Sequence, residues 1–191
     1  MNVRRCAAVA LSVMLSMGAI ASAVAADFTS DPNHTFVRFS YNHMGFSTQE
    51  QRFNKVTSKV TYDPQAKSAS VTVLMDTKSV DTGSDLFNGD IQGADFLDTE
   101  HYPTATFRST SVTFDGDVPV KMEGELTLKG ITKPVRLTVG HFKHGQNMMR
   151  KDSIGAEATG VIKRSDFNMS KYAPAVGDDV MLTISLEGSV P

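Results

Sequence analysis

The 191-residue sequence predicts an all-β protein: an elongated antiparallel β-barrel of eight strands, with one short helical segment. Three observations predict it. After residue 26 the chain alternates apolar and polar residues with period two, which gives each strand one apolar face. Short connections rich in Gly, Asp and Pro separate these stretches, and such connections join neighbours as antiparallel hairpins. The stretches run to about 11 residues, so at about 3.3 Å per residue each spans about 36 Å, well beyond an ordinary strand. Closing eight such strands removes the exposed edges, and an interior of that size is either filled by side chains or holds one small ligand.

The strands are predicted at about residues 34–46, 52–62, 68–78, 104–115, 118–129, 133–143, 153–164 and 178–190. The clearest face is Val118, Val120, Met122, Gly124, Leu126 and Leu128, with Lys121, Glu123, Glu125 and Thr127 opposite. Val180, Leu182, Ile184, Leu186, Gly188 and Val190 repeat the pattern, as do Ile154, Ala156, Ala158, Gly160 and Ile162. Turns are expected at Asp63-Pro64, Asp115-Gly116-Asp117, Lys129-Gly130, His144-Gly145 and from Pro174 through Asp179. Gly140, after Val135, Leu137 and Val139, is a suspected bulge, beyond which faces slip by one residue. Ser84 to Leu97 breaks the rhythm: Phe87, Ile91 and Ala94 fall at helical spacing, which predicts a short helix despite Gly89 and Gly93. Gly124, Ala156, Ala158, Gly160 and Gly188 are small residues on apolar faces. Two readings of them stay open: they leave a cavity, or they accommodate large partners such as Phe107 and Met122 and ease curvature.

Residues 1–26 read as a removable secretory leader. Arg4 and Arg5 precede an apolar run from Cys6 to Ile20, which closes on Ala21-Ser22-Ala23-Val24-Ala25-Ala26. Cleavage is expected after Ala25 or Ala26, leaving one exported domain over 27–191 with no segment long and apolar enough to span a bilayer. The two arginines leave with the leader and no acid does, taking the formal charge from −2 to −4. That balance argues against nucleic acid as a partner. Cys6 is the only cysteine, which excludes a disulfide framework and a cysteine-rich metal site.

The remaining polar groups suggest no reaction. His141 and His144, three apart on a strand, point to opposite faces, and His34 and His43 are expected to hydrogen-bond loop backbone near one barrel end. No metal is therefore expected. No G-x-S-x-G elbow occurs, and Ser165 beside Asp166 lacks a positioned base. Arg164 and Asp166 share one face of an extended chain and are expected to pair across the last long turn, while Asp95 and Asp98 are expected to cap the helix end and its turn.

Ordered motifs along the chain carry a resemblance: Asp31-Pro32-Asn33-His34-Thr35, His43-Met44-Gly45, Ser79-Val80-Asp81-Thr82-Gly83, Asp95-Phe96-Leu97-Asp98 and Tyr102-Pro103-Thr104-Ala105-Thr106-Phe107. Gly124 through Val135, Arg164-Ser165-Asp166-Phe167 and Val176-Gly177-Asp178 complete them. In this order the chain resembles the YceI-like family of bacterial lipid- or polyisoprenoid-binding proteins. The resemblance implies a lipocalin-like barrel with a helix beside its mouth, a periplasmic location, a long isoprenoid or lipid tail held in the lumen, and no catalytic reaction. Departures occur at Gln51 and Asn168, where glycine is common in the family, and in Leu86–Ile91, which lacks the Arg and His many members carry.

Under that resemblance the ligand-contacting residues are expected to be Phe39, Val73, Met75, Phe107, Met122, Leu126, Leu137, Ile154, Leu182 and Ile184, with Phe87, Ile91 and Phe96 covering the mouth. No cofactor is expected besides the bound lipid. The function expected is non-enzymatic transport, storage or scavenging of a quinone, polyprenyl phosphate, fatty amide or fatty acid. The alternatives are a lipid-modifying enzyme using the same lumen, or a packed structural barrel. Oligomeric state is left open, a homodimer included.

Overall fold

A computed structural model describes residues 25–191; the predicted leader lies almost wholly outside them. The chain forms β1 (Ala26–Ser30), β2 (Phe36–His43), β3 (Ser47–Phe53), β4 (Val56–Asp63), β5 (Ser68–Asp76), β6 (Val80–Asp81), helix α1 (Asp85–Gln92), β7 (Thr104–Asp115), β8 (Val118–Leu128), β9 (Ile131–Gln146), β10 (Asp152–Lys163) and β11 (Asp179–Ser189). Every ladder is antiparallel. Eight strands close the ring in the order β1-β4-β5-β7-β8-β9-β10-β11, with β11 returning to β1. The predicted eight-stranded barrel is observed.

Its wall is stepped at one place. The free edge of β11 is shared: Gly188 and Ser189 pair with β1, while Met181 to Ser185 pair with β2. Residues 31–35 carry the chain across the step. There Asp31 N–H donates to Glu187 O at 2.8 Å, and the buried Thr35 hydroxyl donates to the same oxygen at 3.2 Å. From β2 the chain reverses at Met44 and Gly45, both with positive φ, into β3, which pairs back along β2 and ends against β6.

Two sequence expectations are corrected here. The strand predicted at 34–46 starts at Phe36 and ends at His43. The strand predicted at 52–62 is two, broken at Asn54-Lys55, because Phe53 belongs to the ladder with β2 while Val56 onward pairs with β5 and β1. The inward face changes parity at that break, from Gln51 and Phe53 to Val56, Ser58 and Val60, so the alternation breaks where the partner changes. β1, which no prediction covered, starts beside the expected cleavage position.

Bulges set which face turns inward. Glu157 pairs with His141 and Ala158 with Val139, so Gly140 is the extra residue. Val135, Leu137 and Val139 face the lumen before it, and Phe142 after it. On β8 the ladder passes from Lys121 to Pro119 and skips Val120. This corrects the face assigned to the start of that strand: Pro119 points inward and Val118 is exposed. At the other end Leu128 pairs with Ile131 across Lys129-Gly130, both with positive φ, as the tight turn that fits strand twist requires.

The interior has two connected apolar clusters. The smaller gathers Phe28, Val60, Tyr62, Val71, Ile154 and Leu186 at one end; the larger includes Val56, Met75, Phe107, Leu126, Leu137 and Phe167 toward the other. The small residues divide between the two readings left open above. A Cβ on Gly124 would sit 2.4 Å from the Phe107 ring, and one on Gly160 would sit 2.7 Å from Leu137, so these two accommodate large partners. Ala156 and Ala158 instead line open space.

Gly124→Ala is expected to lower stability by about 2–3 kcal/mol, since the new methyl also meets Arg108 O at 2.5 Å and backbone cannot yield. Gly140→Ala, with nothing within 4 Å, is expected to stay within about 0.5 kcal/mol of the parent. Paired urea-unfolding curves check the contrast.

Candidate functional site

Helix α1 closes over the open end of the barrel. Ser84 caps it, accepting from Phe87 N–H, and Gly93 terminates it. Of the segment predicted as helical, only Asp85–Gln92 is helix, and the chain folds back at once: Leu97 N–H donates to Ile91 O and Asp98 N–H to Gly93 O, both at 3.0 Å. Phe87 and Ile91, one helical turn apart, and Phe96 on the return all face the cavity below.

That cavity measures about 480 Å³ and lies between α1, the upper ends of the strands, and residues 169–176. A second, deeper chamber of about 120 Å³ continues down the barrel, and Val37, Met75, Leu126 and Leu182 line both. Each of the thirteen predicted residues faces one or both spaces. Phe39, Phe87, Ile91 and Phe96 line the upper; Val73, Phe107, Met122, Leu137, Ile154 and Ile184 line the lower; Met75, Leu126 and Leu182 stand at the junction. Among the described residues Tyr62 alone gives the lower chamber a polar side chain, and its hydroxyl donates to Asp117 O at 3.3 Å. The lower chamber is thus an apolar sleeve, and the barrel is not solidly packed.

The upper cavity also holds residues that sequence reasoning missed: Tyr41, His43, Arg164, Met169, Lys171, Tyr172 and Val176. Most lie on the loop after β10, where alternation ends and no periodic signal marks an inward residue. Arg164 organises that loop. It is 6% exposed, and among the described residues no carboxylate pairs with its guanidinium. Its Nε donates to Gly177 O, Nη2 to Val176 O and Nη1 to Lys171 O, each at 2.8 Å, and Nη1 also reaches Met169 O. Four carbonyls satisfy the buried charge as the planar fork of Arg allows. This corrects the expected pairing of Arg164 with Asp166.

Asp178 anchors the loop from the other side. Its carboxylate accepts from Ser165 N–H and Ser165 Oγ, both at 2.8 Å, with Lys163 Nζ at 4.0 Å. Burial pushes the Asp178 carboxyl up, but the Ser165 hydrogen bonds and Lys163 outweigh it and hold the group below its ordinary value. The loop begins at Asn168, φ 56°, a left-handed position that Asn tolerates better than other non-glycine residues.

Other expectations for the polar groups are also revised. Asp95 pairs with Lys171, and Asp98 accepts from His101 Nδ1 at 2.8 Å, so neither caps α1. His34 Nδ1 meets Asp31 Oδ2 at 2.9 Å, a carboxylate and not backbone, at the step in the wall; His43 is apart from it, at the mouth. His144 turns inward against Phe28 and Tyr62 and meets Asp152 at 2.9 Å. Among the described residues no three His, Cys, Asp or Glu side chains converge as a metal site, and no helix is long and apolar enough to cross a membrane.

A family model described as the YceI-like domain matches residues 28–188. The chain belongs to the YceI family. Protein YceI of Escherichia coli is 40% identical over 180 residues, which cover 93% of this chain and 92% of that protein. The crystal structure of BcnA from Burkholderia cenocepacia superposes with a TM-score of 0.68 at 29% identity, covering 83% of this chain and 98% of BcnA. A polyisoprenoid-binding domain from Saccharophagus degradans shares the fold, with a TM-score of 0.66 over 86% of this chain and 98% of that domain, at 18% identity. Within this YceI-like barrel the charged residues that line the mouth balance: Asp90 and Asp95 against Arg164 and Lys171.

Arg164→Leu is expected to cost at least about 3 kcal/mol, because it strands four carbonyls; Arg164→Lys, a point charge, is expected to recover only part. Chemical denaturation of both variants measures this. The lowered Asp178 carboxyl adds stability that is present above its ordinary value near 3.8 and is lost as pH falls through the folded value. Asp178→Asn is therefore expected to flatten the drop in melting temperature below about pH 4.

Proposed function

We propose that this YceI-family protein is a non-enzymatic periplasmic binding protein that holds an isoprenoid or other long-chain lipid tail in the barrel lumen, for transport, storage or scavenging. The observation that carries the reading is the continuous path from a wide, partly polar mouth into a narrow apolar sleeve. A long tail fits that shape, because each buried CH₂ contributes about 0.8 kcal/mol and a five-carbon isoprene unit therefore about 4 kcal/mol before ordering costs. Met75, Met122 and Met169 on the walls suit a flexible unsaturated chain, since their side chains repack readily. The Saccharophagus domain that shares the fold is a polyisoprenoid-binding one, which agrees with this reading. The expected leader supports export, after which residues 1–26 would be absent.

A binding function also accounts for the polar groups better than catalysis does. Asp95 is spent on Lys171, Asp98 on His101, and Arg164 on the backbone. None of them holds a nucleophile or a general base toward the lumen.

Native mass spectrometry and tryptophan-independent binding assays, for instance displacement of a fluorescent fatty acid by a prenyl alcohol series, test the proposal. Affinity is expected to rise with tail length until the chain reaches the lower chamber. In Ala158→Phe, which fills that chamber, the rise is expected to stop earlier, while short tails bind as before. Failure to take up any member of the series overturns the reading.

A further inference from the structure

Exposed apolar side chains gather where the barrel opens. Among the described residues the six most exposed large ones stand at its two ends. Phe46 (87%), Leu86 (83%), Tyr172 (61%) and Met44 (53%) are at the mouth; Met148 and Met149 are on the β9–β10 hairpin tip at the far end. The four at the mouth come from the three elements that frame the cavity. Met44 and Phe46 lie in the β2–β3 turn just beyond the cavity-lining His43, and Met44 N–H donates to Ala175 O at 3.0 Å, which ties the turn to the loop over the mouth. Tyr172 belongs to that loop and lines the cavity itself, its ring 6.4 Å from that of Phe96. Leu86 is one helical turn before Asp90 on α1, and Asp90 lines the opening, so both are on the side of the helix next to it.

Single apolar side chains on a surface are ordinary, but a group of them marks an interface with protein or membrane. The geometry here favours a membrane. The four side chains ring an opening and so form no continuous face; a fluid bilayer closes around separate side chains, where a rigid protein surface needs close complementarity. At these exposures they offer about 600 Å², below the roughly 800 Å² per partner of a stable dimer. The opening they surround leads into the lumen proposed to hold a lipid tail, and a bilayer is what supplies and receives such tails.

The charges at the mouth say which kind of bilayer. Its cations are engaged: Lys171 by Asp95, Arg164 by four carbonyls, and Lys129 Nζ by Ala94 O at 2.7 Å and Asn168 O at 3.1 Å. Asp85 and Asp90 on α1 pair with no cation among the described residues. The mouth therefore presents apolar groups and unpaired acid, which suits neutral headgroups and opposes anionic ones.

We propose that Met44, Phe46, Leu86 and Tyr172 form a collar that seats the mouth on a neutral, zwitterionic bilayer surface, so that a tail passes between membrane and lumen without crossing water. The proposal rests on the lipid-binding reading above and adds to it the surface from which the tail is taken.

The test uses the processed protein, its N-terminus sequenced at residue 26 or 27, because an uncleaved apolar leader binds membranes by itself. Co-sedimentation with phosphatidylcholine vesicles measures docking, and movement of a fluorescent prenyl lipid from those vesicles to the protein measures transfer. In the double variant Phe46→Ser, Leu86→Ser both are expected to fall about 10-fold, while affinity for geraniol, a short tail dissolved in buffer, stays within about twofold. Melting curves confirm that the variant folds. Met148→Ser with Met149→Ser is expected to leave docking within about twofold, and replacing part of the lipid by phosphatidylglycerol is expected to weaken it.

A parent that stays in solution with neutral vesicles overturns the proposal. So does docking that strengthens with phosphatidylglycerol, survives the Phe46 and Leu86 substitutions, or is lost equally with the methionine pair. A dimer in sedimentation that the Phe46 and Leu86 substitutions dissociate also overturns it, and assigns the collar to a second copy of the chain. The two readings fail separately. Vesicle docking without uptake of any tail ends the lipid-binding reading and leaves the docking surface, whereas geraniol bound in solution without docking ends only this proposal.

Discussion

The structure depends on how one strand edge is shared. β11 is the last strand of the ring, and its free edge closes the barrel with β1 at one end and β2 at the other. A single strand along that edge would give an even, narrow tube. Handing the edge from one strand to another lets the chain leave the ring, run out through β2 and return through β3 before β4 rejoins it. The hand-over is fixed by Glu187 O, which takes both the Asp31 N–H and the buried Thr35 hydroxyl.

The shape of the lumen follows from that step. Below it the eight strands enclose little more than their own side chains, and the space is small and apolar. Above it the β2–β3 hairpin widens the wall, and Val37, Phe39, Tyr41, His43 and Phe53 face a cavity four times larger. A wider mouth exposes more backbone and must be closed by other means. Helix α1 supplies one cover, and the loop gathered around Arg164 supplies the other. A buried cation is an expensive way to order a loop, but one planar group that reaches four carbonyls fixes residues 169–177 more firmly than separate side chains would. Most polar side chains that face the lumen stand at this widened end, while the lower chamber is walled almost wholly by apolar groups.

Much of this was legible in the residues. Period-two alternation located the barrel strands and their inward faces from Val135 to Val139 and from Val180 to Leu186, because a half-buried strand leaves that pattern whatever its partners. The bulge at Gly140 was visible as the point where apolar residues change parity. Residues on such faces, from Val73 to Ile184, do point into the lumen. Illegible were the skip at Val120 and the roles of Arg164 and Asp95, whereas the break at Asn54-Lys55 shows as a parity change between Phe53 and Val56 that a single strand cannot carry. The skip leaves the apolar alternation of the sequence intact, and the two roles depend on groups distant in the chain or on backbone carbonyls, which have no sequence signature.

The sequence by itself therefore determined the all-β barrel, the strands that build it and the apolar wall a tail would meet, since each follows from which residues alternate along one strand. Tertiary structure alone decided where the ring steps, how wide the mouth is and which polar groups meet there. Those depend on which strand edge is left free and on what crosses it, as with Arg164, whose four carbonyl partners come together only once the loop after β10 folds back over the mouth.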